Sequence, residues 1–418
     1  MFIKIAYYQK RGKKAKYTKK QKILAKFFTI IVNNSNLPEK IGDILRTTYL
    51  VALEKDPTDL SKLRPLGVPS AIRRIAAILL LHQYRSKFAE YLLPFNYAIG
   101  VNGGIDIITN TMRLGVEKYI TNLENSGRFP SRALVSLDIR NMFNAISREK
   151  LRELVRAKFP ELVAFADLLY KKDGSTGVKL VDGRWRYIPV QEGFSQGCPM
   201  SPVFAAIVLN EILTKIDSEL REKAAHRKNN SLTDDGEGGL PLIMAYVDDC
   251  NALLPHEDVL DFLEAFKKYG EPLGAVLNTE KTRILTTCKN NSLIDRMRNS
   301  HRAHGRTDLI NSLETAIKRF SKNKDGSMCE VQDGLRILGV PIGNNDFCKS
   351  FINKQLEKAK NDATTILEGL DDSQTKLQVF RQCTVHKMTH LFTSDVLSSK
   401  MSDLPKNWHL WRLSLIHL

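Results

Sequence analysis

Three aspartates are the residues best placed by type and spacing to do chemistry. Asp248 and Asp249 stand side by side in "PLIMAYVDDCNALLP", between two apolar runs. Asp138 closes a third apolar run, "RALVSLD". An adjacent aspartate pair alone fits an ordinary turn, because the Asp side chain bonds nearby backbone. A third carboxylate changes the reading. If the three runs are strands of one antiparallel sheet, all three carboxylates meet at one edge. Clustered like charges are costly unless cations neutralise them. A donor set made only of oxygen favours hard ions, Mg²⁺ first and Mn²⁺ as the alternative. Two such ions, about 3.5–4 Å apart, can clamp the attacking and leaving oxygens of an in-line phosphoryl displacement.

The elements around these residues must hold them in place. "RALVSLDIRNMFNAI" reads as a strand with Val135 and Leu137 on one face and Asp138 at its end. The Asp248-Asp249 pair sits at the tip of a hairpin. Residues 39–130 read as mainly helical. In "SAIRRIAAILLLHQYRSKFAEYLL", Ile72, Ile75, Leu79, Tyr84 and Phe88 fall at helical spacing and predict the buried face. "NYAIGVNGGIDIITNTMRLGVEKYI" is a Gly-rich turn followed by a second amphipathic helix. After Asp138 come a helix in "SREKLRELVRAKF" and a hairpin in "TGVKLVDGRWRYIPV", turning at Asp182-Gly183. "QGCPMSP" is a loop that enters a long helix. A helix is predicted near 257–269, a strand in "GLRILGVPIG", and helix again from about 347 to 394. "HRKNNSLTDDGEGG" and residues 290–332 are polar insertions, the second with a basic helix in "INSLETAIKRFSKNK".

Composition narrows the partners. The 418 residues are 43% hydrophobic, enough for a sizeable core divided into two or three subdomains. A net charge of +17 points to a polyanion, with nucleic acid ahead of an acidic membrane surface. No basic amphipathic segment is long enough to favour the membrane. No apolar run approaches the roughly 20 residues of a membrane span. "IAAILLL" is short and closely flanked by Arg73, Arg74, Arg85 and Lys87. "MFIKIAYYQKRGKKAKYTKK" lacks the apolar stretch of a secretory signal. The six cysteines show no CxxC spacing, so free thiols in a reducing compartment are expected. Residues 1–38 hold ten Lys/Arg and no Asp or Glu. They read as a basic arm for nucleic-acid contact, and are also compatible with nuclear import.

Seven motifs in order resemble a known family, the reverse transcriptases of the group II intron and non-long-terminal-repeat retroelement lineage. "SLDIRNMFNAI" resembles the first catalytic motif, "QGCPMSP" the Gln-Gly loop, and "AYVDD" the Tyr-x-Asp-Asp box. "LNTEKT" resembles the lysine motif and "LRILGVPIG" the primer-grip turn. Upstream, "KLRPLGVPSAIRRI" and "YAIGVNGG" resemble segments of the fingers. The resemblance spans roughly residues 60–345. It implies an α+β right-hand polymerase fold, with an antiparallel palm sheet, helical fingers and a short helical thumb. Its divisions would be a basic arm at 1–38, fingers at 39–130, a palm at 131–345 and a thumb-like region at 346–418. The palm would carry a fingers insertion at about 150–190 and polar insertions at about 226–240 and 290–332. Some 75 residues after the primer-grip turn is short for a thumb, and a C-terminus that is truncated, frameshifted or docked on a partner is expected.

The resemblance also implies roles. Asp138, Asp248 and Asp249 would bind two Mg²⁺ ions. Arg64 and Arg73 would meet an incoming deoxynucleoside triphosphate; adjacent Arg73 and Arg74 cannot face the same way on a helix. Phe143 would stack under the sugar and exclude a 2′-hydroxyl. Gln196 and Gly197 would lie against the nascent base pair. Lys281 would protonate or hold the leaving pyrophosphate. Tyr246, Leu338 and Gly339 would touch the primer end. The partners would be an RNA template and a DNA primer, with a protein partner left open. The rival readings are an RNA-dependent RNA polymerase, against which Phe143 stands, and an inactive maturase-like RNA-binding protein, against which the retained acidic cluster stands. A sequence-specific DNA-binding protein has only the charge in its favour. Cys383, His386 and His390 share one helical face, read as helix packing rather than a zinc site, since a fourth ligand is missing.

Overall fold

The computed structural model describes residues 18–34, 36–54, 63–121, 132–229, 240–255, 258–278, 281–285 and 334–384. The chain opens with helix α1 (Lys19–Asn33), started by a Thr18/Gln21 capping box. Helix α2 (Glu39–Arg46) leads into strands β1 (Thr47–Glu54) and β2 (Leu63–Pro69). Helices α3 (Ala71–Leu92) and α4 (Gly104–Val116) follow. Strand β3 (Arg132–Leu137) leads to the short β4 (Ile139–Arg140) and helix α5 (Met142–Ala145). Next come α6 (Arg148–Lys158), α7 (Val163–Tyr170), the hairpin β5 (Gly174–Lys179) and β6 (Trp185–Val190), and the long α8 (Ser201–Asn229). The second half holds β7 (Leu242–Tyr246), β8 (Asp249–Pro255), α9 (Asp258–Gly270), β9 (Val276–Leu277) and β10 (Arg283–Leu285). The hairpin β11 (Gly334–Ile337) and β12 (Val340–Gly343) precedes α10 (Asn345–Gly369) and α11 (Ser373–Cys383).

Two four-stranded sheets organise these elements, in the orders β2-β1-β5-β6 and β10-β3-β8-β7. The second is antiparallel and covered on both faces, so its strands read as nearly continuous apolar runs. Side chains alternate between faces along each strand. Ala133, Val135, Cys250, Ala252, Leu254, Ile243 and Ala245 join the main core, which includes the buried run Val203–Leu209 of α8. Leu134, Leu253, Met244 and Leu285 face the other way, against α4 and the β11-β12 hairpin.

Three expectations are corrected. Residues 39–130 are not helix alone: β1 and β2 lie within them, and β1 runs parallel to β5. The outer half of β1 is exposed on both faces, so no apolar alternation marked it. The buried face of α3 carries Arg73, Ala76, Ala77, Leu80, Phe88 and Leu92, whereas Ile72 and Ile75 are exposed. This helix start is apolar nearly all round, so period alone does not choose its inner face. The stretch read as a basic arm includes α1, whose Phe28, Ile31 and Val32 are buried in the main core.

The described cysteines, Cys198, Cys250, Cys348 and Cys383, carry free thiols. Among the described residues no helix is long and apolar enough to cross a membrane. The basic helix expected within 290–332, and His386 and His390, lie outside the described residues.

Candidate active site

The register of the second sheet builds the site. Leu137 pairs with Cys250, and the next positions outward are Asp138 and Asp249. Tyr246 pairs with Asp249 across the β7-β8 hairpin, leaving Val247 and Asp248 as its two-residue turn. All three carboxylates therefore gather at one end of the sheet. Val247 takes a left-handed backbone, φ 56°, which is unusual for a β-branched residue. Such strain persists only where the surroundings over-determine it.

The carboxylates feel one another. Asp249, open at the sheet edge, is pushed up to about 6, chiefly by desolvation among the surrounding protein atoms, then by Asp248 and Asp138. Asp248 is raised by desolvation, with Asp138 adding and Arg64 opposing. Behind them the buried Cys250 thiol is pushed up to about 12 by burial, with Asp249 adding to it. Asp138 is held from the neighbouring segment: Asn278 donates through Nδ2 to Asp138 Oδ2 at 2.8 Å, and the Asn278 N–H donates to the Asp138 carbonyl at 2.8 Å. Thr282 Oγ1 accepts from the Asp138 N–H at 3.4 Å and donates to the Asn278 carbonyl at 2.9 Å. Arg283, half-buried on β10, is a cation whose charge couples to Asp138.

Of the remaining predicted residues, Arg64 lies exposed on β2 with its charge in range of Asp248. Phe143 is half-buried on α5, just after Asp138, against the main core. Gln196 and Gly197 form a turn beside β2, where the Gly197 N–H donates to the Gly67 carbonyl at 3.2 Å. A Cβ at Gly197 would stand 2.5 Å from that carbonyl oxygen, so the close approach this glycine permits is to β2. Lys281 is exposed in the turn after Asn278. Tyr246 and Leu338 pack on the same apolar cluster, with Leu338-Gly339 forming the β11-β12 turn at φ 48° and 91°.

Arg73 is the exception. Its side chain is buried at 2% exposure, donating to the Leu45 carbonyl and to Tyr170 Oη, both at 3.2 Å. Its guanidinium also lies 5.8 Å from the Tyr170 ring centroid. The structure does not bring it to the carboxylates; it serves the core between α3 and α7. Asn96, Asn278 and Arg283 were missed by the sequence reading. Only Asn278 carried a signal, its place in "LNTEKT" three residues before Lys281.

An all-oxygen cluster in which Asp248 and Asp249 are raised suits a hard divalent ion. Among the described residues no three acidic, His or Cys side chains form a ready-made ion cage. Mg²⁺ commonly takes one or two carboxylates and completes its shell with substrate phosphate and water, so this open donor set fits that ion.

Comparison with known proteins bears on the same region. The family model described as reverse transcriptase (RNA-dependent DNA polymerase) matches residues 55–342. The retrovirus-related Pol polyprotein from the type-1 retrotransposable element R2 of Popillia japonica is 28% identical over 177 residues, 42% of this chain and 24% of that protein. This chain thus spans about a quarter of that relative's length. Among solved structures, apo telomerase from Candida tropicalis aligns over 94% of this chain and 71% of its own, at 11% identity and a TM-score of 0.44. Telomerase from Candida albicans in complex with a fragment of telomeric RNA aligns over 95% and 69%, at 12% identity and a TM-score of 0.40. The family match covers well over half of the sequence and contains every carboxylate of the site, and on that ground the chain belongs to the reverse transcriptase family.

Proposed function

We propose that this chain is an RNA-directed DNA polymerase of the non-long-terminal-repeat retroelement lineage. It adds deoxynucleoside monophosphates from their triphosphates to a primer 3′-hydroxyl on an RNA template and releases pyrophosphate. The observation that carries the reading is the β3-β8-β7 register, which gathers Asp138, Asp248 and Asp249 at one sheet edge.

Asp138 and Asp248 would hold the divalent ions and Asp249 would supply the third carboxylate. Mg²⁺ bound there would supply charge to offset that developing on the attacking and leaving oxygens. The primer 3′-oxygen forms its bond to the α-phosphorus while the α–β phosphoanhydride bond breaks. Arg64 holds the incoming triphosphate, where a guanidinium fork matches phosphate oxygens. Phe143 lies under the sugar and denies room to a 2′-hydroxyl. Gln196 and Gly197 line the nascent pair. Lys281 steadies or protonates the departing pyrophosphate. Tyr246, Leu338 and Gly339 seat the primer end. The excess positive charge binds the nucleic-acid backbone, and affinity falls steeply with salt.

The test is primer extension on an RNA template with Mg²⁺, comparing deoxy- and ribonucleotides for wild type, Asp248→Ala and Phe143→Val. Deoxynucleotide extension that vanishes in Asp248→Ala is the expected result. Phe143→Val should relax sugar selection by roughly 10- to 100-fold. Equal use of ribonucleotides by wild type would instead mean an RNA polymerase. Wild type that binds RNA but extends nothing would mean a binder that has kept the fold.

A further inference from the structure

The hairpin that carries Asp248 and Asp249 is held from outside its own sheet. After α3 ends, residues Phe95–Ala98 run parallel beside β7, bridged at Asn96 and Ala245. The Tyr97 N–H donates to the Ala245 carbonyl at 2.9 Å, and the Ala245 N–H donates to the Phe95 carbonyl at 2.6 Å. This backbone ladder stops one residue short of the turn. There the Asn96 side chain takes over. Its Nδ2 donates to the Val247 carbonyl at 3.1 Å, and its Oδ1 accepts from the Val247 N–H at 3.4 Å. The same Oδ1 accepts from the Ala98 N–H at 3.2 Å. Asn96 is 1% exposed, and its own N–H donates to the Leu92 carbonyl at 2.9 Å, which fixes it to the end of α3.

A primary amide is the side chain that can copy both halves of a peptide group, one donor and one acceptor. Here both halves meet the one residue of the hairpin whose backbone is least comfortable, Val247 at φ 56°. Left unheld, a β-branched residue tends to leave that region. Asp248 is the next residue, and Asp249 follows it into β8. Any relaxation of Val247 moves the carboxylates.

We propose that Asn96 is a positioning residue for the nucleotidyl-transfer site. Its buried amide locks Val247 in the left-handed conformation and so sets where Asp248 and Asp249 stand. This rests on the reading of those aspartates given above.

The experiment uses the full chain with Asn96→Ala, Asn96→Asp and Asn96→Ala combined with Val247→Gly, beside Asp248→Ala as reference. Asn96→Asp keeps the side-chain size in case Asn96→Ala does not fold, while losing the donor to the Val247 carbonyl. Both single variants should lower kcat by roughly 10- to 100-fold, the scale of a misplacement of about 1 Å. Primer–template affinity and the KM for deoxynucleotide should stay within about twofold if only the turn has moved. Adding Val247→Gly should return about tenfold of the lost rate, because glycine holds positive φ without a clamp. Amide hydrogen exchange supplies a readout free of catalysis: peptides covering 243–250 should exchange faster in Asn96→Ala, with other peptides unchanged.

Wild-type kcat with unchanged exchange at 243–250 would overturn the proposal while leaving the aspartates' role intact. So would a loss spread over binding, exchange and stability together that Val247→Gly does not repair, since that marks an ordinary core residue. An Asp248→Ala enzyme that still extends primers would remove the premise, and the catalytic part of the proposal with it.

Discussion

Replacing Asp249 by Asn should stabilise the protein at neutral pH even as it damages catalysis. In the fold the Asp249 carboxyl moves from an ordinary 3.8 to about 6. The unfolded chain has lost that proton well below pH 6, while the fold retains it. Stability from this residue is therefore fully present below about pH 4 and is lost as pH rises through about 6. Each pKa unit is worth about 1.4 kcal/mol, so the ionised carboxylate costs at most about 3 kcal/mol. Asp249 is an exposed residue, and solvent screening brings the cost nearer to about 1 kcal/mol. Asn keeps the shape and drops the charge. Urea unfolding of wild type and Asp249→Asn at pH 7.5 and about pH 3, in chelator, should show the variant ahead by about 1 kcal/mol at the higher pH and level with wild type at the lower. Mg²⁺ at pH 7.5 should stabilise wild type more than the variant and narrow the gap, because the ion binds only the charged cluster. A variant less stable than wild type at pH 7.5, or a difference that ignores pH, would refute the electrostatic account.

Arg64→Ala should raise the KM for deoxynucleotide by about tenfold, as loss of a phosphate contact does, with unfolding unchanged. Arg73→Ala should do the reverse, leaving KM nearly unaltered and costing about 2–4 kcal/mol in urea unfolding, because it strips a buried site of its hydrogen bonds. Gly197→Ala forces a Cβ to within 2.5 Å of the Gly67 carbonyl oxygen. It should cost about 1–3 kcal/mol of stability and slow extension, read by melting and by kcat. Asn278→Ala removes the 2.8 Å bond to Asp138 Oδ2. A Mg²⁺ titration of primer extension should show activation shifted by roughly 10- to 100-fold, the usual cost of losing a residue that orients a metal ligand.

What was legible in the sequence had a periodic or punctuated cause. The three strands around the aspartates are short apolar runs that end in charge, and their pairing follows from the buried faces. The Asp182-Gly183 turn was legible because glycine at that place takes φ 82°. Arg73 was misplaced because one of two adjacent arginines between Ile72 and Ile75 looks like a surface cation. Only the tertiary fold reveals that Tyr170 and the Leu45 carbonyl wait inside for it. The strand β1 was missed because its outer residues are exposed on both faces, leaving β-branched content as the sole hint. Asn96 carries no pattern of its own, and Asn278 only its place in the lysine motif. An amide becomes a positioning group only when a remote segment arrives beside it, here 151 residues away for Asn96 and 140 for Asn278.

The choice of amides to hold this cluster has a physical reason. A cation placed against each aspartate would also fix it, but it would neutralise the charge and compete with any ion the site must bind. A neutral amide orients a carboxylate or a turn while leaving the negative charge intact. Asn278 does this for Asp138 directly, and Asn96 does it for Asp248 through the backbone of Val247. Arg64 and Arg283 each couple to one carboxylate, yet Asp248 remains raised and Asp249 stands at about 6. At Asp248 desolvation and the Asp138 charge outweigh the opposing charge of Arg64. On the proposed reading, the cost in stability is tolerated because the clustered negative charge would draw a divalent ion, and the triphosphate that comes with it, to the edge of the sheet.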